Sequence, residues 1–320
     1  MKLGIIGCSE IAFRRFMPVA KEIESLEVVA VAEEYDKSKL APFCETYELE
    51  GVESFDALIQ RADLDALYIP QPPALHFPWA KKALENGKHV LLEKPSTTRL
   101  EDSESLVSIA REKGLALHEN YMFQYHSQIG KIKELLDEGV IGELRNIKCN
   151  FGFPMRAQND FRYSKELGGG ALLDAGGYTA KLATLFLGKT IQVDAAALNY
   201  MEGYEVDMYG SVQFSNEDGM VCQTSFGMDN GYQCNLDVWG SKGRLCTNRI
   251  FTAPENFNPV VVIETAEGKR EITLEPDQHF KKSIEQFMRE VQNQKMREAM
   301  YDEIVLQAKL IEKIKQDNTP

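Results

Sequence analysis

The 320-residue chain carries 36 basic and 49 acidic side chains, a net charge of −13, and that field excludes nucleic acid and anionic membranes as expected partners. A hydrophobic content of 43% suits a globular protein with cores for two domains. Six scattered cysteines without two-residue spacing exclude a zinc knuckle or disulfide framework. No apolar run reaches a membrane span, and Glu10, Arg14 and Arg15 come too early for a signal peptide, so the expected location is the cytoplasm.

Apolar runs at Leu3–Gly7, Val28–Ala32, Ala66–Pro70, Val90–Leu92 and Leu115–His118 predict strands, with amphipathic helices over Asp56–Ala62, Phe77–Asn86 and Glu101–Lys113 between them. This alternation predicts a parallel α/β sheet over residues 1–120. Past residue 120 the rhythm changes. A helix over Gln128–Glu138, a strand over Leu144–Phe153 and an apolar helix over Leu172–Leu187 are expected first. Alternating segments then predict strands at Gln192–Tyr200, Tyr209–Ser215, Met220–Met228, Gln233–Gly240, Arg244–Asn248, Val260–Glu264 and Lys269–Leu274. Their period of two predicts a largely antiparallel sheet with one exposed face, in a second domain over 121–320. Closing helices over His279–Asn293 and Met296–Gln316 are expected to pack back toward the first domain.

Gly7-Cys8-Ser9-Glu10-Ile11-Ala12 follows the first strand as a tight turn and helix start, the context of a dinucleotide fingerprint. Gly7 supplies the first glycine and Ala12 the small third residue. Ser9 replaces the second glycine and either caps the helix or donates to a phosphate. Gly7, Ser9, Glu10, Ile11 and Ala12 are thus the candidate cofactor loop. Glu33-Glu34 ends the second strand, where Glu33 is expected to accept hydrogen bonds from the adenosine ribose and repel a 2′-phosphate; this favours NAD over NADP, softened by nearby Lys37. The run His89-Val90-Leu91-Leu92-Glu93-Lys94-Pro95 reads as a buried strand stopped by proline, leaving Lys94 at a strand's carboxyl end, where open α/β sheets bind ligands.

Three motifs in order carry a family resemblance: Pro70-Gln71-Pro72-Pro73-Ala74-Leu75-His76, Glu93-Lys94-Pro95, and Gly168-Gly169-Gly170-Ala171-Leu172-Leu173-Asp174-Ala175-Gly176-Gly177-Tyr178. Over essentially its whole length the chain resembles the Gfo/Idh/MocA oxidoreductases. The resemblance implies a Rossmann domain, a second domain with a large open sheet, a nicotinamide at their interface, and homodimers or homotetramers built through that sheet. It also implies that Lys94 lies beside the nicotinamide and the reacting carbon. Many members end the third motif on histidine followed by aspartate, whereas this chain has Tyr178 and then Lys181. That resembles the tyrosine-bearing branch, and Glu119–His126 with Asp160-Phe161-Arg162-Tyr163 is most similar to its sugar-nucleotide ketoreductases.

The expected chemistry is hydride transfer with Lys94, Tyr178 and Asp174 catalytic. An unperturbed tyrosine is a poor base at neutral pH, and a nearby ammonium would favour its phenolate. In the reductive direction Tyr178 would protonate the developing alkoxide while Lys94 polarises the carbonyl. Asp174, one turn earlier, either holds a sugar hydroxyl or orients the pair, or merely meets the helix dipole. Pro70, Pro72, His76 and Glu93 are further cofactor-side candidates, with a loop-capping role equally open for His76. Arg162 is the favoured contact for a diphosphate or carboxylate, with Tyr163 beside it; Lys165, Lys181 and one of Arg14 and Arg15 are expected to be solvated. No metal site is expected. The expected function is an NAD-dependent oxidoreductase of a nucleotide-linked deoxysugar. The rivals are a dehydrogenase of a free sugar or cyclic diol, and a non-catalytic dinucleotide sensor.

Overall fold

The structure is a computed structural model that describes residues 1–318. It forms two compact units: Met1–Asn120 with Phe280–Ala308, and Tyr121–His279 with the chain from Lys309 onward. In the first unit β1 (Lys2–Ile6), β2 (Glu27–Ala32), β3 (Glu50–Val52), β4 (Ala66–Ile69), β5 (His89–Leu92) and β6 (Leu117–Glu119) make one parallel sheet in the order β3-β2-β1-β4-β5-β6. This is the doubly wound dinucleotide order, whose direction reverses between β1 and β4. Connecting helices are α1 (Met17–Ala20), α2 (Leu40–Tyr47), α3 (Phe55–Gln60), α4 (His76–Glu85) and α5 (Leu100–Lys113).

All four residues of β4 and the last four of β1 are buried, as a strand covered on both faces requires. Leu58, Ile59, Leu67, Leu84, Val90, Leu106 and Tyr301 share one core. Acids in its first turn and bases in its last suit the dipole of α5, and Gly114 ends it at φ 66°. Two details depart from expectation. β6 starts at Leu117 rather than Leu115, and β3 was not expected, because Glu50-Gly51-Val52 is short, exposed and lacks an apolar run.

In the second unit α6 (Ser127–Asp137) and α7 (Gly177–Leu187) accompany eight strands: β7 (Leu144–Gly152), β8 (Gln192–Tyr200), β9 (Asp207–Ser215), β10 (Val221–Gly227), β11 (Gln233–Gly240), β12 (Gly243–Asn248), β13 (Val260–Thr265) and β14 (Gly268–Thr273). Their order is β14-β13-β12-β11-β7-β10-β9-β8, antiparallel except for β7 with β10. Alternation sorts the faces. Ile147, Cys149, Phe151, Cys222, Phe226, Cys234, Leu236 and Val238 are buried, and α7 packs on β7 and β10. The opposite face presents Lys148, Gln223, Tyr209 and Trp239, the last 62% exposed. The helices α8 (His279–Gln292) and α9 (Gln294–Gln316) follow, and most of both counts with the first unit.

Candidate active site

Four strand ends at the carboxyl edge of the parallel sheet carry the expected cofactor residues. After β1, Gly7 takes φ +103° and donates its N–H to Ala32 O at 2.9 Å. A Cβ on Gly7 would overlap the Gln71 amide, which itself donates to Ile6 O at 2.8 Å. Glycine is therefore required by both conformation and space. Ser9 Oγ accepts the Ala12 N–H at 3.2 Å, so the residue caps the helix start. Ala12 is fully buried and begins a π-helical turn, Ala12–Phe16, that runs into α1. A bare glycine turn leading into a capped helix start fits a dinucleotide, because the N–H groups around Glu10 and Ile11 favour an anion.

Glu33 departs from the expected role. It is 5% exposed, and its two oxygens accept N–H groups of Cys8 at 2.7 Å, Tyr35 at 2.8 Å and Asp36 at 3.1 Å. The carboxylate ties the glycine turn to the end of β2, and Glu34 accepts the Phe55 N–H. The physical basis for favouring NAD over NADP is thereby lost.

Pro70 and Pro72 shape the loop after β4, and His76 lies beneath it, fully buried. Its Nδ1 is 2.7 Å from Pro95 O and its Nε2 2.7 Å from Gln71 O, so the ring joins the β4 and β5 loops. Two carbonyls would suit an imidazolium, but burial, and after it the charge of Lys94, push the pKa down to about 4. Without a counter-charge the ring is neutral at pH 7 and donates to one carbonyl. Of the two roles left open for His76, these hydrogen bonds make loop capping. Glu93 is buried too; its Oε1 accepts Tyr68 OH and Asn120 Nδ2, each at 2.7 Å, and burial raises its pKa against those bonds. It anchors the strand end from below, while Lys94 is part-exposed.

In the second unit, Tyr178 opens α7 after a π-helical turn, Leu172–Gly176. Its ring lies 5.2–5.9 Å from those of Tyr121, Phe123, Phe151 and Phe251, and its hydroxyl is 3.7 Å from Met122 Sδ. The glycine motif makes room for neighbours: a Cβ on Gly177 would overlap the Tyr121 hydroxyl, one on Gly169 the Arg162 carbonyl, and one on Gly170 the Asp207 carboxylate. Asp207 Oδ2 accepts the Leu172 N–H at 2.6 Å, and burial pushes its pKa up to about 6.

Arg162 departs from its expected role as a substrate grip. Its Nε meets Asp174 at 2.6 Å and its Nη1 meets Asp160 at 3.1 Å, and these carboxylates hold its pKa up against burial. Asp174 is thus an ion-pair partner for Arg162. Tyr163 OH accepts the Arg156 N–H, and its ring packs on Tyr204 at 5.4 Å. Lys181, expected to be solvated, is 2% exposed, and Arg14 pairs with Glu10 on the surface. Asp207, Phe151 and Phe251 were not anticipated; each comes from a distant strand or loop with no local motif. Among the described residues, no cluster suits a metal ion and no helix is long and apolar enough to cross a membrane.

Residues 1–121 match the family "Oxidoreductase family, NAD-binding Rossmann fold" and residues 129–246 match "GFO/IDH/MocA C-terminal domain". The chain belongs to the Gfo/Idh/MocA oxidoreductases. It is an NAD(P)-dependent enzyme with a Rossmann sheet and a second, mostly antiparallel sheet. It is 39% identical over 316 residues to a dTDP-3,4-didehydro-2,6-dideoxy-alpha-D-glucose 3-reductase from Actinomadura kijaniata, covering 98% of this chain and 95% of that one. A weaker relative, D-xylose 1-dehydrogenase (NADP(+)) 2 of Haloferax volcanii, is 28% identical over 91% of this chain and 89% of its own. The crystal structure of a 3-ketoreductase from Actinomadura kijaniata with NADP and TDP-benzene superposes with a TM-score of 0.96 at 38% identity, covering 99% of this chain and 98% of that one. Further structures of that ketoreductase carry a tyrosine-to-phenylalanine or a lysine-to-alanine replacement.

Proposed function

We propose that the chain reduces a ketone of a nucleotide-linked deoxysugar, with Lys94 and Tyr178 acting at the reacting carbonyl. The full-length likeness to a dTDP-sugar 3-reductase carries this reading. The lysine and tyrosine replaced in the ketoreductase structures are as far apart in that chain as Lys94 and Tyr178 are in this one, which supports the pair. A bound dihydronicotinamide supplies the hydride. The Lys94 ammonium draws electron density from the carbonyl oxygen, and the Tyr178 hydroxyl gives the developing alkoxide its proton, later regained from water. Hydride and proton together convert the ketone to a secondary alcohol. The aromatic ring of neighbours holds the phenol in place and keeps water from its flank.

The cofactor reading is NADPH. Glu33 is engaged by three amides, the similar ketoreductase structure holds NADP, and Lys37 follows β2 on the surface to meet a 2′-phosphate. The open sheet face bearing Trp239 and Tyr209 is the surface on which copies of the chain pair; Trp239→Lys should shift the mass measured by light scattering toward the monomer.

Following nicotinamide absorbance with dTDP-linked 3-keto sugars tests the reading. Wild type should turn over with NADPH better than with NADH, and Tyr178→Phe and Lys94→Ala should each lose at least about tenfold in kcat. Turnover confined to free sugars with the oxidised cofactor would replace the reading by the dehydrogenase. Unchanged turnover in both variants would remove the pair from the chemistry.

A further inference from the structure

With Arg162 held between Asp160 and Asp174, an anionic substrate tail needs other cations. Two arginines in the second unit meet no carboxylate among the described residues and instead lie over aromatic rings. The Arg156 guanidinium sits 5.1 Å from the Phe153 ring, and that of Arg249 sits 4.6 Å from the Tyr232 ring while donating to its hydroxyl at 2.8 Å. Planar cations held close to aromatic rings are pre-organised for the oxygens of a phosphate.

Their placement follows from register. Strands β7 and β11 are antiparallel with Gly152 opposite Gln233, so one step further out Phe153 comes beside Tyr232. Alternation puts Phe153 on the face of Phe151, and Tyr232 on the face of Cys234, both part of the buried face packed by α7. Phe153 lies 5.9 Å from Phe151, which lies 5.3 Å from Tyr178. Phe251, two residues after Arg249, lies 5.9 Å from Tyr178. Both arginines therefore stand at the end of an aromatic path that starts at the proposed proton donor. Arg249 also holds a left-handed backbone at φ 56°, uncommon for a residue with a long side chain, and Gln128 Nε2 meets its carbonyl at 3.3 Å. Tyr232 is 43% exposed, open to a ligand on its free side.

In a nucleotide-linked sugar the diphosphate lies one sugar ring from the reacting carbon. The path Tyr178–Phe151–Phe153–Arg156, with steps of 5.3, 5.9 and 5.1 Å, lines the way from proton donor to cation with apolar rings. We propose that Arg156 and Arg249 grip the diphosphate of the substrate, with Tyr232 flanking it. This rests on the ketoreductase reading and adds to it where the nucleotide tail is held.

Thymidine diphosphate binding measured by calorimetry, alongside steady-state kinetics on a dTDP-linked keto sugar, tests the grip. Arg156→Ala and Arg249→Asn, the latter chosen because asparagine accepts the left-handed backbone, should each weaken thymidine diphosphate binding roughly tenfold or more. KM for the linked substrate should rise in step while kcat stays within about threefold. Arg249→Lys should fall between, since it keeps the charge and loses the planar fork. Wild-type affinity for thymidine diphosphate in both variants, with the wild type still turning over the linked sugar, overturns the grip and leaves the ketoreductase reading standing. A fall in kcat at constant KM overturns it as well. A wild type that neither binds thymidine diphosphate nor reduces the linked sugar removes both readings.

Discussion

The carboxyl edge of the parallel sheet and the Tyr178 nest of the second unit solve similar problems with different materials. Each sets a helix start with a π-helical turn, Ala12–Phe16 in one and Leu172–Gly176 in the other, a deviation often found at functional sites. Each also uses glycine where two parts of the chain must approach. At the sheet edge Gly7 is demanded by its backbone, with φ +103°. Gly177 has ordinary helical angles, φ −57°, and is demanded only by the Tyr121 hydroxyl. The edge is wired through backbone amides and carbonyls by Glu33, Gln71 and His76; the nest is packed by rings. Burial disfavours the charged form in both regions, so His76 of the edge is pushed down to about 4, while Asp207 of the nest, like Glu93 of the edge, is pushed up, Asp207 to about 6. Backbone wiring tolerates little change of residue type, whereas ring packing tolerates change that conserves volume.

The largest stability effect should come from Arg162→Ala in the second unit. It leaves Asp160 and Asp174 facing each other part-buried, and chemical denaturation should show a loss on the order of 3 kcal/mol.

The opposed pKa shifts give a second test. Between about pH 4 and 6 the folded state holds more protons on Asp207 than the unfolded chain does, so this group makes stability fall as pH rises through that window. His76 does the reverse: between about pH 6.5 and 4 the unfolded chain holds more protons, so stability falls as pH drops. Each slope amounts to on the order of 3 kcal/mol, and in the wild type they largely cancel. In Asp207→Asn the melting temperature should drop more steeply on acidification than in the wild type. In His76→Gln it should rise on acidification. Parallel pH profiles for all three proteins would erase this contrast between the two regions.

Smaller, and sharper on the glycine comparison, is a pair of rescue experiments. Gly7→Ala and Gly177→Ala should each cost about 2 kcal/mol. Tyr121→Phe should restore most of the loss at Gly177, because it removes the atom in the way. Gln71→Ala should not restore Gly7→Ala, because the left-handed backbone remains. Equal rescue at both sites would show that space alone matters at each. Smallest of all, Arg14→Ala should leave the melting temperature unchanged, since an exposed pair adds almost nothing.

Legibility in the sequence followed the range of the interaction. The strand ends at Gly7 and Lys94 and the helix over residues 101–113 are set within a few residues, and their patterns were readable, whereas the cap made by Ser9 was one of two roles left open until the structure showed it. The family motifs likewise led to the two-sheet architecture. Partner choice was not readable. Arg162 as a cation near the glycine motif suited a phosphate, and nothing local showed that Asp174, twelve residues on, would fold back against it. Glu33 suited a ribose for the same reason, until the turn at Cys8 supplied an amide from 25 residues away.

By itself, then, the sequence determined which segments are strands and helices, which face of each is apolar, and where lysine, tyrosine and glycine stand along the chain, because periodicity and backbone preference act locally. It took the folded chain to place β7 in mid-sheet against β10 and β11, to set Phe151 and Phe251 around Tyr178, and to leave Arg156 and Arg249, rather than Arg162, without a carboxylate partner among the described residues. A charged side chain's role depends on which opposite charge is nearest in space, and that is settled when distant strands come into register.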